Sequence, residues 1–222
     1  MINGLYFPAL TRQAITQYYK RNSSDFYATY NCENNYVNVA LDCKNRCVYC
    51  DVLVDECGGE KFSLDHFRPK NVFGEKFDGI LKIHPFNLHL SCQKCNVLKS
   101  DDWKGCEDTQ DGETYLSKKG YIDRFQVDAS DYFDVNDMGQ LVSINDCGPG
   151  DYMIRRLLLN RTNRVYLRKL REVTFKVSRI KELLASRQNE VLAKWKSGVL
   201  SEQQAKEEIG LLTSLLNRFS KL

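Results

Sequence analysis

Two cysteine pairs, Cys47-Val-Tyr-Cys50 and Cys92-Gln-Lys-Cys95, limit what this chain can fold into more than any other feature. A C-x-x-C sequence sets two thiolates on one tight turn, and two such turns supply the tetrahedral sulfur set that Zn²⁺ prefers. One pair alone would also fit a redox couple. Two pairs around a folded segment point to a metal that ties distant parts of the chain together. Four sulfurs leave no position for water, so the Zn²⁺ is expected to be structural. The cysteines number nine. The chain opens without a basic stretch followed by an apolar one, so no secretory signal is expected, the location is expected to be cytoplasmic, and metal binding is favoured over disulfides. Cys32, Cys43, Cys57, Cys106 and Cys147 lack paired spacing and read mostly as buried free thiols. Cys43 and Cys57 lie near enough to the first pair to replace one of its ligands.

Charge adds a second constraint. A net charge of +3 does not demand nucleic acid, but its distribution is uneven. Arg155 to Arg179 is rich in Arg and Lys, while Glu107 to Asp151 is rich in Asp and Glu. This predicts a basic helical face and an acidic, separately folded segment. The basic face suits phosphate binding or plain solvation equally well. No apolar run reaches the length of a membrane span, so no membrane partner is expected.

The fold class read from the pattern is α+β, mostly helical. Thr11 to Arg21 and Asn34 to Lys44 read as helices, the second with Val37, Ala40 and Leu41 on its apolar side. Phe62 to Phe67 reads as a strand ending at Pro69, and Ile80 to Ile83 as its partner, with turns at Gly74 and Asp78-Gly79. Lys94 to Asp101 reads as a short helix. Tyr132 to Ile144 reads as a hairpin turning at Asp137 to Gly139. After the break at Cys147-Gly-Pro-Gly, Tyr166, Leu170, Val173, Val177, Ile180 and Leu184 draw one apolar seam along a long helix, which Val191 and Trp195 continue. Gly198 can end it, and Ser201 with Gln204 spells a capping box for a second helix seamed by Ala205, Ile209, Leu212, Leu216 and Phe219. The two seams predict an antiparallel helical hairpin. Mutual packing is the simpler role for them, and docking of a partner the alternative.

Between and beside the cysteine pairs lie Ser63-Leu-Asp-His-Phe-Arg-Pro-Lys70, Phe86-Asn-Leu-His-Leu-Ser-Cys92 and Cys95-Asn-Val-Leu-Lys99. An Asp-His pair at a strand end, an Asn-Leu before a C-x-x-C, and an Asn-x-x-Lys after it resemble the HNH endonuclease family. The likeness covers roughly Ala40 to Asp102. It implies a ββα-metal core, a hairpin and a helix gripping one divalent cation, braced by the zinc knuckles. The domains expected on this basis are a helical extension over 1–40, the HNH core over 41–105, an acidic insert with a β-hairpin over 106–150, and the helical hairpin over 151–222. Ala40-Leu41, the first knuckle with Asp51, the acidic insert and Leu158-Leu-Asn-Arg161 are further similar to the HNH subunits of Septu-type and retron-linked anti-phage systems. That likeness implies an ABC-like ATPase partner.

Residue chemistry agrees with a phosphodiesterase. Hydrolysis needs a deprotonated water, neutralised phosphate charge and a stabilised leaving oxygen. His66, neutral near neutral pH, suits the general base. Asp65 offers a hard oxygen to Mg²⁺ or Mn²⁺, and Asn96 a second, neutral one. By the family's pattern Asn87 orients the His66 ring. Arg68 and Lys99 are candidates for holding phosphate oxygens. Asn96 stands where many family members carry His, which favours Mg²⁺ or Mn²⁺ over softer metals. His84 and His89 are read as structural. The expected substrate is nucleic acid, DNA favoured over RNA. The rivals are a zinc-stabilised nucleic-acid-binding module without catalysis and an adaptor that recruits a partner. In the first Asp65-His66 is incidental, and in the second His66 is dispensable; taken singly, His66 could be a core histidine with a satisfied hydrogen bond and Asp65 a helix or turn cap.

Overall fold

The computed structural model describes residues 5–12 and 33–219. Most of the helix expected over Thr11 to Arg21 therefore lies outside the described residues, as does Cys32. The described chain is α+β and mostly helical, with three small antiparallel sheets. Helix α1 runs over Glu33–Asp42. Its inner face is Asn35, Val39 and Cys43, an i, i+4 row, together with Ala40, whereas Val37 and Leu41 are exposed. The side expected from the apolar residues is thus only partly the buried one. Asp42 is drawn inward by Arg12, whose Nη1 lies 3.6 Å from its carboxylate.

Strand β1, Ser63–His66, pairs antiparallel with β2, Leu88–Ser91, in a register that sets Asp65 opposite His89 and His66 opposite Leu88. The partner strand is therefore not Ile80 to Ile83, which was the expected one. Phe77–Lys82 instead forms a 3-10 turn that buries Ile80 and Leu81, with Phe77, Asp78 and Gly79 all at positive φ. Such a tight run cannot offer a ladder of hydrogen bonds, while Leu88 and Leu90, both wholly buried, can present an extended edge. The short helix α2, Lys70–Phe73, lies in the same connection. Helix α3, Gln93–Lys99, follows β2 directly and packs on β1. Below the sheet Phe67 stacks on His89 at 4.6 Å between ring centroids and meets Trp103 edge-on at 5.6 Å.

Two further hairpins come next, β3 (Tyr115–Leu116) with β4 (Lys119–Gly120), and β5 (Phe133–Val135) with β6 (Leu141–Ser143). The segment 106–150 is not separately folded. Tyr121 Oη donates to Asp102 at 2.7 Å, and buried Arg124 donates to Pro8 and Val48 carbonyls and pairs with Asp51. Helix α4, Gly150–Arg156, begins at the Gly-Pro-Gly break, and α5 covers Thr162–Lys196.

The chain divides into two compact units within α5, Met1–Arg168 and Lys169–Leu222. The first turns of α5 explain the division. Their buried side chains are not the expected seam, since Tyr166 and Leu170 are exposed, but Arg164 and Arg168. Arg168 donates to the carbonyls of Gly139 and Leu159 and to Asn160 Oδ1. Asn160 in turn brackets Leu141, accepting from its N–H and donating to its carbonyl.

In the second unit, α5 ends at Gly198 with φ +75°, where Val199 N–H reaches the Lys194 carbonyl and Gly198 N–H the Trp195 carbonyl. This paired 6→1 and 5→2 bonding is a Schellman stop that wants glycine. Helix α6, Glu202–Phe219, starts with reciprocal bonds between Ser201 and Gln204. The helices fold back on each other through Arg187–Glu208 and Gln188–Thr213, with Val191 and Ala205 buried between them.

Candidate active site and metal centre

The four paired cysteines meet. Sγ atoms of Cys47, Cys50, Cys92 and Cys95 all lie within 4.8 Å of one another, and all four residues are buried. The Cys50 and Cys92 sulfurs are 3.7 Å apart. Zinc–sulfur bonds of about 2.3 Å at tetrahedral angles demand sulfurs roughly 3.8 Å apart, so this set could hold a zinc ion. Among the described residues it is the one such group of His, Cys, Asp and Glu side chains. The first knuckle is fixed by Asp51 N–H to the Cys47 carbonyl and by Val48 N–H to the Leu90 carbonyl of β2. The second opens α3, with Cys92 as its N-cap.

The other described cysteines do not replace these ligands. Cys43 is buried and accepts from Leu90 N–H at 3.4 Å, and burial pushes its thiol up to about 11, so it stays protonated. Cys57 is half-buried beside Arg164, Cys106 is half-buried, and Cys147 is exposed. Among the described ones only Cys43 fits the expectation of a buried free thiol.

Two arginines that sequence reasoning left on a basic helical face are aimed at the sulfurs. Arg161 Nη2 lies 3.6–3.7 Å from the sulfurs of Cys50, Cys92 and Cys95. Arg164 Nη2 lies 3.5 Å from Cys92 Sγ. Four thiolates around a divalent cation leave two negative charges, which two guanidinium groups balance. The Leu-Leu-Asn-Arg161 sequence held the signal, since its Arg follows a buried Leu159 and the bracketing Asn160.

Asp65, His66 and Asn96 line one cavity of about 210 Å³, together with Leu64, Pro69, Lys70, Ser100 and Asp101. His66 closes β1, and its Nε2 lies 2.9 Å from the Lys82 carbonyl. A carbonyl only accepts, so Nε2 carries the proton and Nδ1 the lone pair. Burial lowers the pKa of His66 below its usual value, which keeps the ring neutral near neutral pH. His66 is therefore braced by the Lys82 carbonyl rather than by Asn87, the expected orienter. Asn87 is wholly buried, accepts from Arg68 N–H at 2.7 Å, and donates to the carbonyls of Arg68 and Leu81. It clamps the residue beside Lys82 to the end of β1, so it acts on the ring at one remove.

Asp65 is not a bare carboxylate. Tyr49, inside the first knuckle, donates its hydroxyl to Oδ2, and the Lys99 ammonium lies 3.2 Å from the same oxygen. Lys99 is wholly buried and also donates to the His66 carbonyl at 2.9 Å. Burial first, and the Asp65 charge second, push the Tyr49 phenol well above its usual pKa, so it stays a donor. Lys99 is thus a partner of Asp65 and does not face incoming phosphate.

Arg68 is likewise removed from that role. It is 1 % exposed, lies 4.9 Å over the Trp103 ring, and donates to the Gly112 carbonyl at 2.6 Å. A planar cation between aromatic faces is a core element. The cation that does line the cavity is Lys70, which is exposed. Neither pattern nor spacing had singled it out, although it follows directly on the Asp-His-Phe-Arg-Pro sequence.

His84 and His89 are structural in this fold. His84 caps the turn Pro85–Asn87, and His89, on β2 opposite Asp65, is buried 3.7 Å from Asp123. Burial first, then nearby Arg12 and Lys99, hold His89 well below its usual pKa, so this approach is not a charge pair. Among the described residues no helix is long and apolar enough to cross a membrane. Comparison of the chain with protein-family models, with curated proteins and with solved structures finds no match.

Proposed function

We propose that this protein is a metal-dependent endonuclease of the HNH type, with β1, β2 and α3 as its ββα-metal core. The observation that carries this reading is the single cavity shared by Asp65, His66 and Asn96. Asp65 and Asn96 would hold Mg²⁺ or Mn²⁺, since such ions take one or two protein oxygens and complete their shell with water and phosphate. When bound, that cation supplies Lewis acidity at the scissile phosphate and neutralises charge on the leaving oxygen.

The chain's own residues do the rest. Nδ1 of His66 takes a proton from the attacking water, while Lys82 keeps the ring turned and its Nε2 proton engaged. Asn87 holds the two backbone segments that flank this base. Lys70 offers its ammonium to a non-bridging phosphate oxygen at the cavity rim. The sulfur cluster is a structural Zn²⁺ centre that fixes α3, and with it Asn96, against β1.

The substrate proposed is nucleic acid, DNA before RNA, and the setting an anti-phage complex with an ATPase partner. The Asp65–Lys99 ion pair is the observation that favours the rival, non-catalytic module, because it already satisfies the carboxylate. Cleavage decides between them. Plasmid, single-stranded DNA and tRNA are incubated with Mg²⁺ or Mn²⁺ and the parent or His66→Ala protein. Metal-dependent cleavage by the parent alone supports the nuclease. Binding without cleavage by either would replace it with the module.

A further inference from the structure

We propose that Tyr49, the residue inside the first C-x-x-C turn, positions the Asp65 carboxylate for its cation. The cysteine cluster then sets the affinity of the oxygen site beside it. This rests on the hydrolytic reading of the Asp65, His66 and Asn96 cavity.

Three features carry the inference. First, Tyr49 cannot wander. It is 1 % exposed, its ring meets Tyr121 edge-on at 6.0 Å, and its backbone lies between two clustered sulfurs. Its neighbour Val48 is held at both ends, donating to Leu90 of β2 and accepting from Arg124. Second, the donors on Asp65 are uneven. Oδ2 takes the Tyr49 hydroxyl and the closer approach of Lys99 at 3.2 Å, while Oδ1 has Lys99 only at 3.4 Å. A carboxylate oxygen that already accepts two donors has little left for a cation, so Oδ1 is the oxygen for the cavity. Third, the phenol fixes which oxygen is which. Without it Lys99, which already reaches both oxygens, is the carboxylate's one remaining side-chain donor here, and nothing then distinguishes Oδ2 from Oδ1 or holds Oδ1 to the cavity. Tyr49 touches neither cation nor substrate and is a positioning residue. Partners of this kind are worth about 10–100-fold in metal affinity.

The test uses full-length protein carrying His66→Ala, so that bound nucleic acid is not consumed. Mn²⁺ binding is followed by the electron paramagnetic resonance of the free ion, with Asp65→Asn defining the signal from this site. Adding Tyr49→Phe is expected to weaken that binding about 10–100-fold, with zinc content unchanged and no more than the small Tm drop that one lost buried hydrogen bond brings. Equal Mn²⁺ affinity with and without the hydroxyl would overturn the proposal and leave the hydrolytic reading standing. Weaker binding accompanied by lost zinc or by loss of the native circular dichroism would overturn it too, because the tyrosine would then only support the knuckle. If protein with Tyr49 intact binds no Mn²⁺ that depends on Asp65, the hydrolytic reading itself falls and takes this proposal with it.

Discussion

His66 Nε2 and the Lys82 carbonyl oxygen lie 2.9 Å apart, and this one contact fixes which ring nitrogen carries the proton. The acceptor comes from the turn that ends at Lys82, not from a strand. The geometry of the candidate base therefore depends on how that turn is held.

Replacing His66 by Ala should abolish metal-dependent cleavage by several orders of magnitude while leaving zinc content and circular dichroism unchanged. Burial lowers the ring's pKa, so the neutral base is present at and above its ordinary titration range. A bound cation acts in the same direction. The rate should therefore fall only on the acid side, below about pH 6.5, and a profile of kcat/KM against pH measures this. A parent profile with its acid limb above neutrality would contradict the assignment.

Asn87→Ala removes three buried hydrogen bonds that join the end of β1 to Leu81. Leaving such groups unpaired costs about 1–3 kcal/mol each at most, so Tm should drop clearly in thermal melts. Turnover should drop with it, because the Lys82 carbonyl loses its support. Asn87→Asp should not rescue either property, since a carboxylate cannot donate to two carbonyls.

Arg68 and Lys70 stand close in sequence and should behave in opposite ways. Arg68→Ala empties a core position among Trp103, Phe73 and Gly112, and should cost several kcal/mol of stability. Lys70→Ala, at an exposed rim position, should leave Tm alone and raise KM for nucleic acid, most visibly at low salt. If Lys70→Ala bound and cleaved like the parent across a salt titration, it would have no phosphate contact.

Stripping Zn²⁺ from a cluster that holds it should free the start of α5. Without it the sulfurs no longer form a compact dianion for Arg161 and Arg164. Limited proteolysis or hydrogen exchange over 157–168, with and without a chelator, reads this directly. Cys92→Ala should show the same loss of protection and a lower Tm, because the metal's binding energy is part of the folding energy.

Acid should destabilise the fold through His89. Its ring is held well below the usual pKa, so on acidification the unfolded chain takes up protons first, and stability is lost as pH falls from about 6.5. Asp123, whose carboxyl burial pushes up, works in the opposite sense nearer pH ~4. Melting curves between pH ~7 and ~5.5 should therefore show a shallower slope for His89→Phe than for the parent.

Much of the local chemistry was legible in the sequence, and most of the tertiary placement was not. The knuckles, the Asp-His strand end, the 133–143 hairpin and the Ser201 capping box each depend on residues within a few positions of one another, and all are present. Ile80 to Ile83 failed as a strand because its apolar residues suit a buried turn equally well, and the choice fell to the register of β2. The face of α1 and the seam of early α5 failed for a related reason. Apolar spacing presumes an apolar neighbour, but in early α5 the buried partners are sulfurs and carbonyls, which select Arg164 and Arg168, and in α1 the wholly buried residue is the polar Asn35. Arg68 and Lys99 misled in the same way, since a cation beside a catalytic sequence can serve the core instead of a ligand.

The order of residues along the chain gives the sulfur cluster a history. All four cysteines have left the ribosome before Arg161 and Arg164 are made, because synthesis runs from the N-terminus. A nascent chain that captured Zn²⁺ on these sulfurs would carry an uncompensated dianion until α5 emerges. Helix α5 would then dock onto a charge that waits for it, and chains truncated before residue 161 should be the ones most easily stripped of zinc.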